Sequence, residues 1–177
     1  VKDLAGPASS SNKIFIASGS ELDIANSSGT INLAVDAGDI ASGTLANARL
    51  ATGHILQVVQ TTFTGMFEST STSYTAVTGM SASITPSSTS SKVLIIVQSS
   101  AGNATSTANS SFTIYRGSTT ALYEGASAGS RNQAGAAVTN PGTWNQSQFS
   151  LIFLDSPSTT SATTYNLFGR ASTGTFR

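Results

Sequence analysis

The chain has no cysteine, so disulfides and thiolate metal sites are excluded, although no compartment is identified by that absence. Charge is almost as scarce. Asp, Glu, Lys and Arg make up 9% of the 177 residues, against roughly 25% in typical soluble domains, and eight cations balance eight anions. The cations are scattered from Lys2 to Arg177, whereas neutralising a phosphate backbone needs a cluster, so no nucleic-acid partner is expected. Long apolar runs are missing too. The longest, 93–97, is far short of the ~20 residues of a spanning helix, and no membrane insertion is expected. A single histidine, His54, cannot build a multi-histidine metal site. It reads as a turn or interface residue, with a ligand or pH-sensing role as the alternative. No cofactor is implied. Val1 is not an initiator Met and no secretory signal follows it, which reads as a processed chain or a fragment.

What is present is hydroxyl and small apolar side chain. Ser and Thr occupy 56 positions and apolar residues 38%, too hydrophobic and too neutral for a disordered chain. Such a sequence folds, with little charge to keep copies apart. Residues 1–53 carry short β-type bursts, Ile14–Phe15–Ile16, Leu22 and Ile24, then Ile31, Leu33 and Val35, spaced by Gly19, Gly29, Gly38, Gly43 and Gly53. Glycine at such intervals suits tight turns between short strands. So few large side chains bury little surface within one copy. Three chains wound together would make that burial intermolecular, and residues 1–53 therefore read as a stalk.

The neck, 38–55, reads GDIASGTLANARLATGHI, and its local form, one helical turn or an extended connector, is left open by the spacing of Leu45 and Leu50. Ile40, Ser42, Gly43, Thr44, Leu45, Ala48, Arg49 and Leu50 resemble an element that recurs in the shafts of bacteriophage tail-fibre proteins. The Ser/Thr-rich loops and the ending TTYNLFGRASTGTF are similar to cyanophage-type fibre or appendage domains. The resemblance implies a shaft role and transfers no binding site.

From 54 onward the β-rich runs lengthen. Seven strands are predicted, at 54–63, 74–84, 92–99, 111–116, 121–124, 143–154 and 163–170, separated by Gly, Ser, Asn or Pro clusters. That spacing predicts an antiparallel β-sandwich, jelly-roll-like, over 54–177, with the loops 99–110 and 125–142 outside the core. The fold class is all-β throughout. Runs 93–97 and 149–154 are apolar on both faces, where a half-exposed antiparallel strand alternates. A neighbouring subunit or an intramolecular loop covers the outer face. With Leu45 and Leu50 of the neck, Val93, Ile95, Val97, Ile152 and Leu154 are the expected subunit contacts of a homotrimer, since fibre homo-oligomers close by rotation. The ending GTFR reads as the start of a further strand beyond Arg177.

No catalytic constellation stands out. GASAG at 125–129 fits the nucleophile-elbow pattern around Ser127, but a poor helix former follows and His54 precedes the serine, against the order that fold requires. Asp36 and Asp39 flank Gly38 and read as a solvated turn rather than a cation site or an acid/base pair. A glycan hydrolase would need two carboxylates about 5–10 Å apart, and the head offers only Glu68, Glu124 and Asp155. Sequons at Asn26, Asn103, Asn109 and Asn145 carry little weight in so Ser/Thr-rich a chain. Trp144, Tyr115 and Tyr123 are the candidates for stacking on a sugar ring, Trp144 from a rim after the turn NPGT. Tyr115, opposite in phase to Phe112 and Ile114, faces outward.

The sequence therefore reads as a non-enzymatic structural component of a bacteriophage virion. It is a trimeric tail fibre or fibre-like appendage that contacts other virion proteins of the tail or capsid and a host cell-surface glycan. A capsid-decorating or baseplate-linking protein and a free-standing carbohydrate-binding module are the alternatives.

Overall fold

The computed structural model describes residues 53–129 and 133–177, which belong to a compact unit running from Thr52 to Arg177. The expected stalk strands, the neck with Leu45 and Leu50, the pair Asp36 and Asp39, and Asn26 lie outside the described residues. Within them there is no helix. Seven strands form: β1 Thr75–Ile84, β2 Val93–Gly102, β3 Asn109–Arg116, β4 Thr120–Ala121, β5 Ala136–Thr139, β6 Gln146–Asp155 and β7 Thr163–Ala171. All pairings are antiparallel. One sheet runs β1-β7-β3, with β4 and β5 both on the far edge of β3; the other is β2-β6.

Buried side chains from both sheets share one core. Val77, Phe112, Ile114, Val138, Tyr165 and Leu167 come from the first sheet and Val93, Ala101, Phe149 and Leu151 from the second. Phe112 of β3 stacks on Phe149 of β6, with ring centroids 4.3 Å apart, and meets Phe176 edge-on at 5.7 Å. These rings hold the two layers together.

Four expectations about the fold need correcting. The strand expected at 121–124 is reduced to β4, Thr120–Ala121, and 122–124 make no ladder. Residues 54–63 are not a strand: the segment is extended but makes no ladder. The loop 125–142 contains β5, whose Val138 is in the core. The loop 99–110 is not outside the core, because Ala101, Asn103, Ala108 and Ser110 are all buried. Small size does not mean exposure there. Small residues instead let the chain turn close beneath the rings, and Asn103 satisfies its own buried amide: Nδ2 donates to Ser110 Oγ and Thr173 O at 3.3 and 3.1 Å, while Oδ1 accepts the N–H of Thr105 at 2.9 Å. An engaged, buried amide also removes Asn103 from the sequons.

Two glycines are required by close approach. Gly79, at φ 93°, lies where the β1–β7 register shifts between Ala76 and Ser81, and a Cβ there would meet the Phe63 ring at 2.5 Å. Gly169 faces the core on β7, and a Cβ would come within 2.8 Å of Phe176 and 2.9 Å of Phe112. Both rings are buried and have nowhere to move. Gly169→Ala is therefore expected to destabilise the head by about 1–3 kcal/mol through overpacking, read as a lower midpoint in thermal unfolding with the sheet spectrum retained.

Charge enters the core once among the described residues. Asp155, buried at the end of β6, accepts a hydrogen bond from the Tyr165 hydroxyl at 2.7 Å and lies 3.5 Å from Arg116. This anion joins the second sheet to β7 and β3 of the first, and removing either partner would leave a buried charge uncompensated.

Candidate functional site

The β2–β6 ladder is regular over its whole length, pairing Val93 with Asp155 and Gly102 with Gln146 and each step between. It therefore puts Leu94 opposite Leu154 and Ile96 opposite Ile152, and side chains of one parity share one face of the sheet. On the inner face Val93, Phe149 and Leu151 are buried, and Ile95, Val97 and Phe153 are half-buried against the core. On the outer face Leu94, Ile96, Ile152 and Leu154 stand 59%, 65%, 59% and 57% exposed. No loop among the described residues covers them.

Ile152 and Leu154 thus occupy the outer face that the sequence suggests. Val93, Ile95 and Val97 do not; the outward residues of β2 are Leu94 and Ile96. Five consecutive apolar residues carry no parity, so the sequence says that both faces of β2 are apolar but not which residues form which. The pairing with β6 decides it.

Four large aliphatic side chains so exposed, rimmed by Gln98, Ser100, Gln148 and Ser150 at one end and by Lys92, which bonds Ser156 at 2.6 Å, at the other, form a patch on the order of several hundred Å², the upper range for a monomer's largest patch. Such a patch binds apolar surface chiefly by burial. Chemically it can dock and cannot catalyse.

The aromatic candidates are not brought together, and no ring contact joins any two of them. Trp144 sits in the turn between β5 and β6 with φ 61°, half-buried, its ring 4.1 Å from the Arg177 guanidinium carbon. Arg177 in turn lies 3.8 Å from Glu68. Tyr123 follows β4 and is exposed, its ring tilted against Phe153 at 5.6 Å. Tyr115 points to the outer side of the first sheet, as its phase predicts, but is half-buried there, stacked on Phe168 at 4.1 Å. Of the three, Tyr123 leaves the most ring to solvent.

Around Tyr115 the first sheet carries a second aromatic group. Tyr74 lies 6.2 Å from Tyr115, gives its hydroxyl proton to Gln133 O at 2.5 Å, and holds the Arg170 guanidinium 4.8 Å from its ring centroid. Burial raises the Tyr74 hydroxyl from 10.0 to about 12, with Arg170 pulling the other way; burial also raises Tyr115, and burial together with the bond to Asp155 raises Tyr165. A raised tyrosine keeps its proton longer folded than unfolded. Stability is therefore whole below pH 10 and falls as pH climbs from 10 toward 12. Thermal midpoints across that window should drop for the natural chain and drop less steeply for Tyr74→Phe; equal slopes would remove Tyr74 from the account.

The remaining chemical candidates are dispersed. Ser127 is exposed, and no helix follows it among the described residues, so they show no strand-turn-helix frame of a nucleophile elbow around it. Asp155 is committed to Tyr165 and Arg116, and Glu68 to Arg177. Among the described residues no group of three or more His, Cys, Asp or Glu could hold a metal ion. His54 is exposed. Compared with protein-family models, with curated proteins and with solved structures, the chain has no significant match in any of the three.

Proposed function

We propose that this chain is the subunit of a homotrimeric, fibre-like appendage of a bacteriophage virion, a non-enzymatic element that presents a jelly-roll-like β-sandwich head on the stalk of residues 1–53. The observation that carries the reading is the uncharged outer face of β2 and β6, with Leu94, Ile96, Ile152 and Leu154 exposed. A soluble protein hides such a face against something, and in a chain whose stalk also needs neighbours the economical cover is another copy. The resemblance of 40–50 to fibre shafts points the same way. Attachment is then multivalent: three copies of the turn at Trp144 and of the segment at Tyr123 give weak contacts with a cell-surface glycan a high effective concentration.

Light scattering of the full chain is the test. A mass three times that of the chain supports the appendage; a stable monomer would overturn it and turn attention to sugar binding by a single module.

A further inference from the structure

We infer that in the assembled protein residues 55–59 of one copy add as a strand to the free edge of β2 in a second copy. This rests on the trimer proposed above and specifies how its heads are joined.

The acceptor is an edge without protection. Gly102 exchanges backbone hydrogen bonds with Arg177, at 2.8 and 3.1 Å, and Ala104 N–H reaches Thr175 O at 2.8 Å, so 175–177 covers only the last step of β2 on the side away from β6. Residues of the same parity as Gly102, namely Leu94, Ile96, Gln98 and Ser100, turn their N–H and C=O groups to that edge. Among the described residues nothing pairs with them there. Edge strands are ordinarily blunted by lysine, proline, a bulge or short length. Val93–Gly102 has ten residues, VLIIVQSSAG, with no charge, no proline and a register without a bulge. The core beside it is also incompletely closed, because Ile95 and Val97 face inward yet stay half-buried, as do Met80 and Ile84 of the edge strand β1.

The donor has the opposite need. Residues 55–59, ILQVV, are β-formers held extended with no ladder, and Ile55 and Val58 are 83% and 80% exposed, with Leu56 and Val59 also open. Apolar residues on both faces suit a strand buried on both faces. Placed at the β2 edge, one face would close over Ile95 and Val97 and the other would extend the patch of Leu94 and Ile96. The same copy does not make this pairing: Thr61 Oγ1 donates to Ser81 O of β1 at 2.7 Å and Phe63 lies against Gly79, which fixes the end of the segment beside β1. Neither surface carries a carboxylate, the one lysine beside the edge, Lys92, is bonded to Ser156 at 2.6 Å, and a contact between two different patches of identical chains closes as a ring when its rotation is that of the trimer.

The chain is cysteine-free, which makes cross-linking clean. Val58→Cys is combined in the full chain with Leu94→Cys, Ile96→Cys or Gln98→Cys, oxidised and run on a denaturing gel beside light scattering of the natural chain. Linked dimers and trimers, reversed by reductant, are expected from at least one pairing and not from Val58→Cys alone or with Thr164→Cys on the other sheet. A trimer that cross-links in none of the three overturns strand donation and leaves the trimer standing. Cross-linking by Val58→Cys alone overturns it as well, by placing the segments against each other. A monomer, cross-linked within itself or not, overturns both proposals. Val58→Pro serves as a second variant, since residue 58 makes no ladder bond within one copy: the trimer should be lost with the thermal unfolding of a folded head retained, and a persisting trimer would reject the donated strand.

Discussion

Leu94→Asp with Ile152→Asp is expected to lower the native mass of the full chain threefold while leaving its β-sheet spectrum intact. Both residues are more than half exposed in the single copy, and surface changes of that kind ordinarily move folding stability by about 0.5 kcal/mol or less. Their cost falls on association. Each aliphatic side chain withdrawn from an apolar contact forfeits about 1.5–3 kcal/mol, and a carboxylate forced into such a contact adds a desolvation penalty of several kcal/mol. With both sites repeated in three copies, the loss exceeds what a standard interface of about 800 Å² per partner can absorb. Light scattering reads the mass and circular dichroism the fold. An unchanged trimer would move the subunit contact off the β2–β6 face and into the stalk, and an unfolded chain would show that the face is covered within one copy.

Phe112→Ala should do the reverse, damaging the fold before the association. The ring is buried between Phe149 of the other sheet and Phe176, so truncation removes the contact through which the two layers hold each other and leaves a cavity walled by aromatic rings. Large-to-small changes of this kind cost about 3–5 kcal/mol. Against a total of about 5–15 kcal/mol, that is a thermal midpoint lower by roughly 10–20 °C. Phe153→Ala makes the control: that ring is half-buried, and its loss should be distinctly smaller. Similar shifts for both would mean that the core is not centred on the Phe112 stack.

The strands that sequence patterning finds well are those built from dense β-formers. The runs 74–84, 92–99, 111–116 and 163–170 fall on β1, β2, β3 and β7, and 143–154 on β6, because alternation and a β-branched content survive whatever lies opposite. The failures share a different cause. Residues 54–63 have the composition of a strand, but a strand exists only where an edge accepts it, and no edge within the described residues does. Ala136–Thr139 is the converse, a weak segment made into β5 by the waiting edge of β3. Gly, Ala, Ser and Asn at 99–110 have the size of loop residues, but Ala101, Asn103, Ala108 and Ser110 are buried because the turn beside Phe176 needs small side chains.

The candidate site divides in the same way. By itself the sequence determined the all-β class of the described region, the scarcity of charge, the phase of Tyr115, and the fact that β2 and β6 carry apolar residues on both faces; these follow from composition and from a period of two, which no partner can change. Only the tertiary structure decided that Leu94 and Ile96, rather than Val93, Ile95 and Val97, stand outward, that Asp155 is committed to Tyr165 and Arg116, and that the far edge of β2 is open. Those depend on register and on which strand lies beside which, and in a run of five apolar residues one register is as hydrophobic as the next until the pairing with β6 selects it.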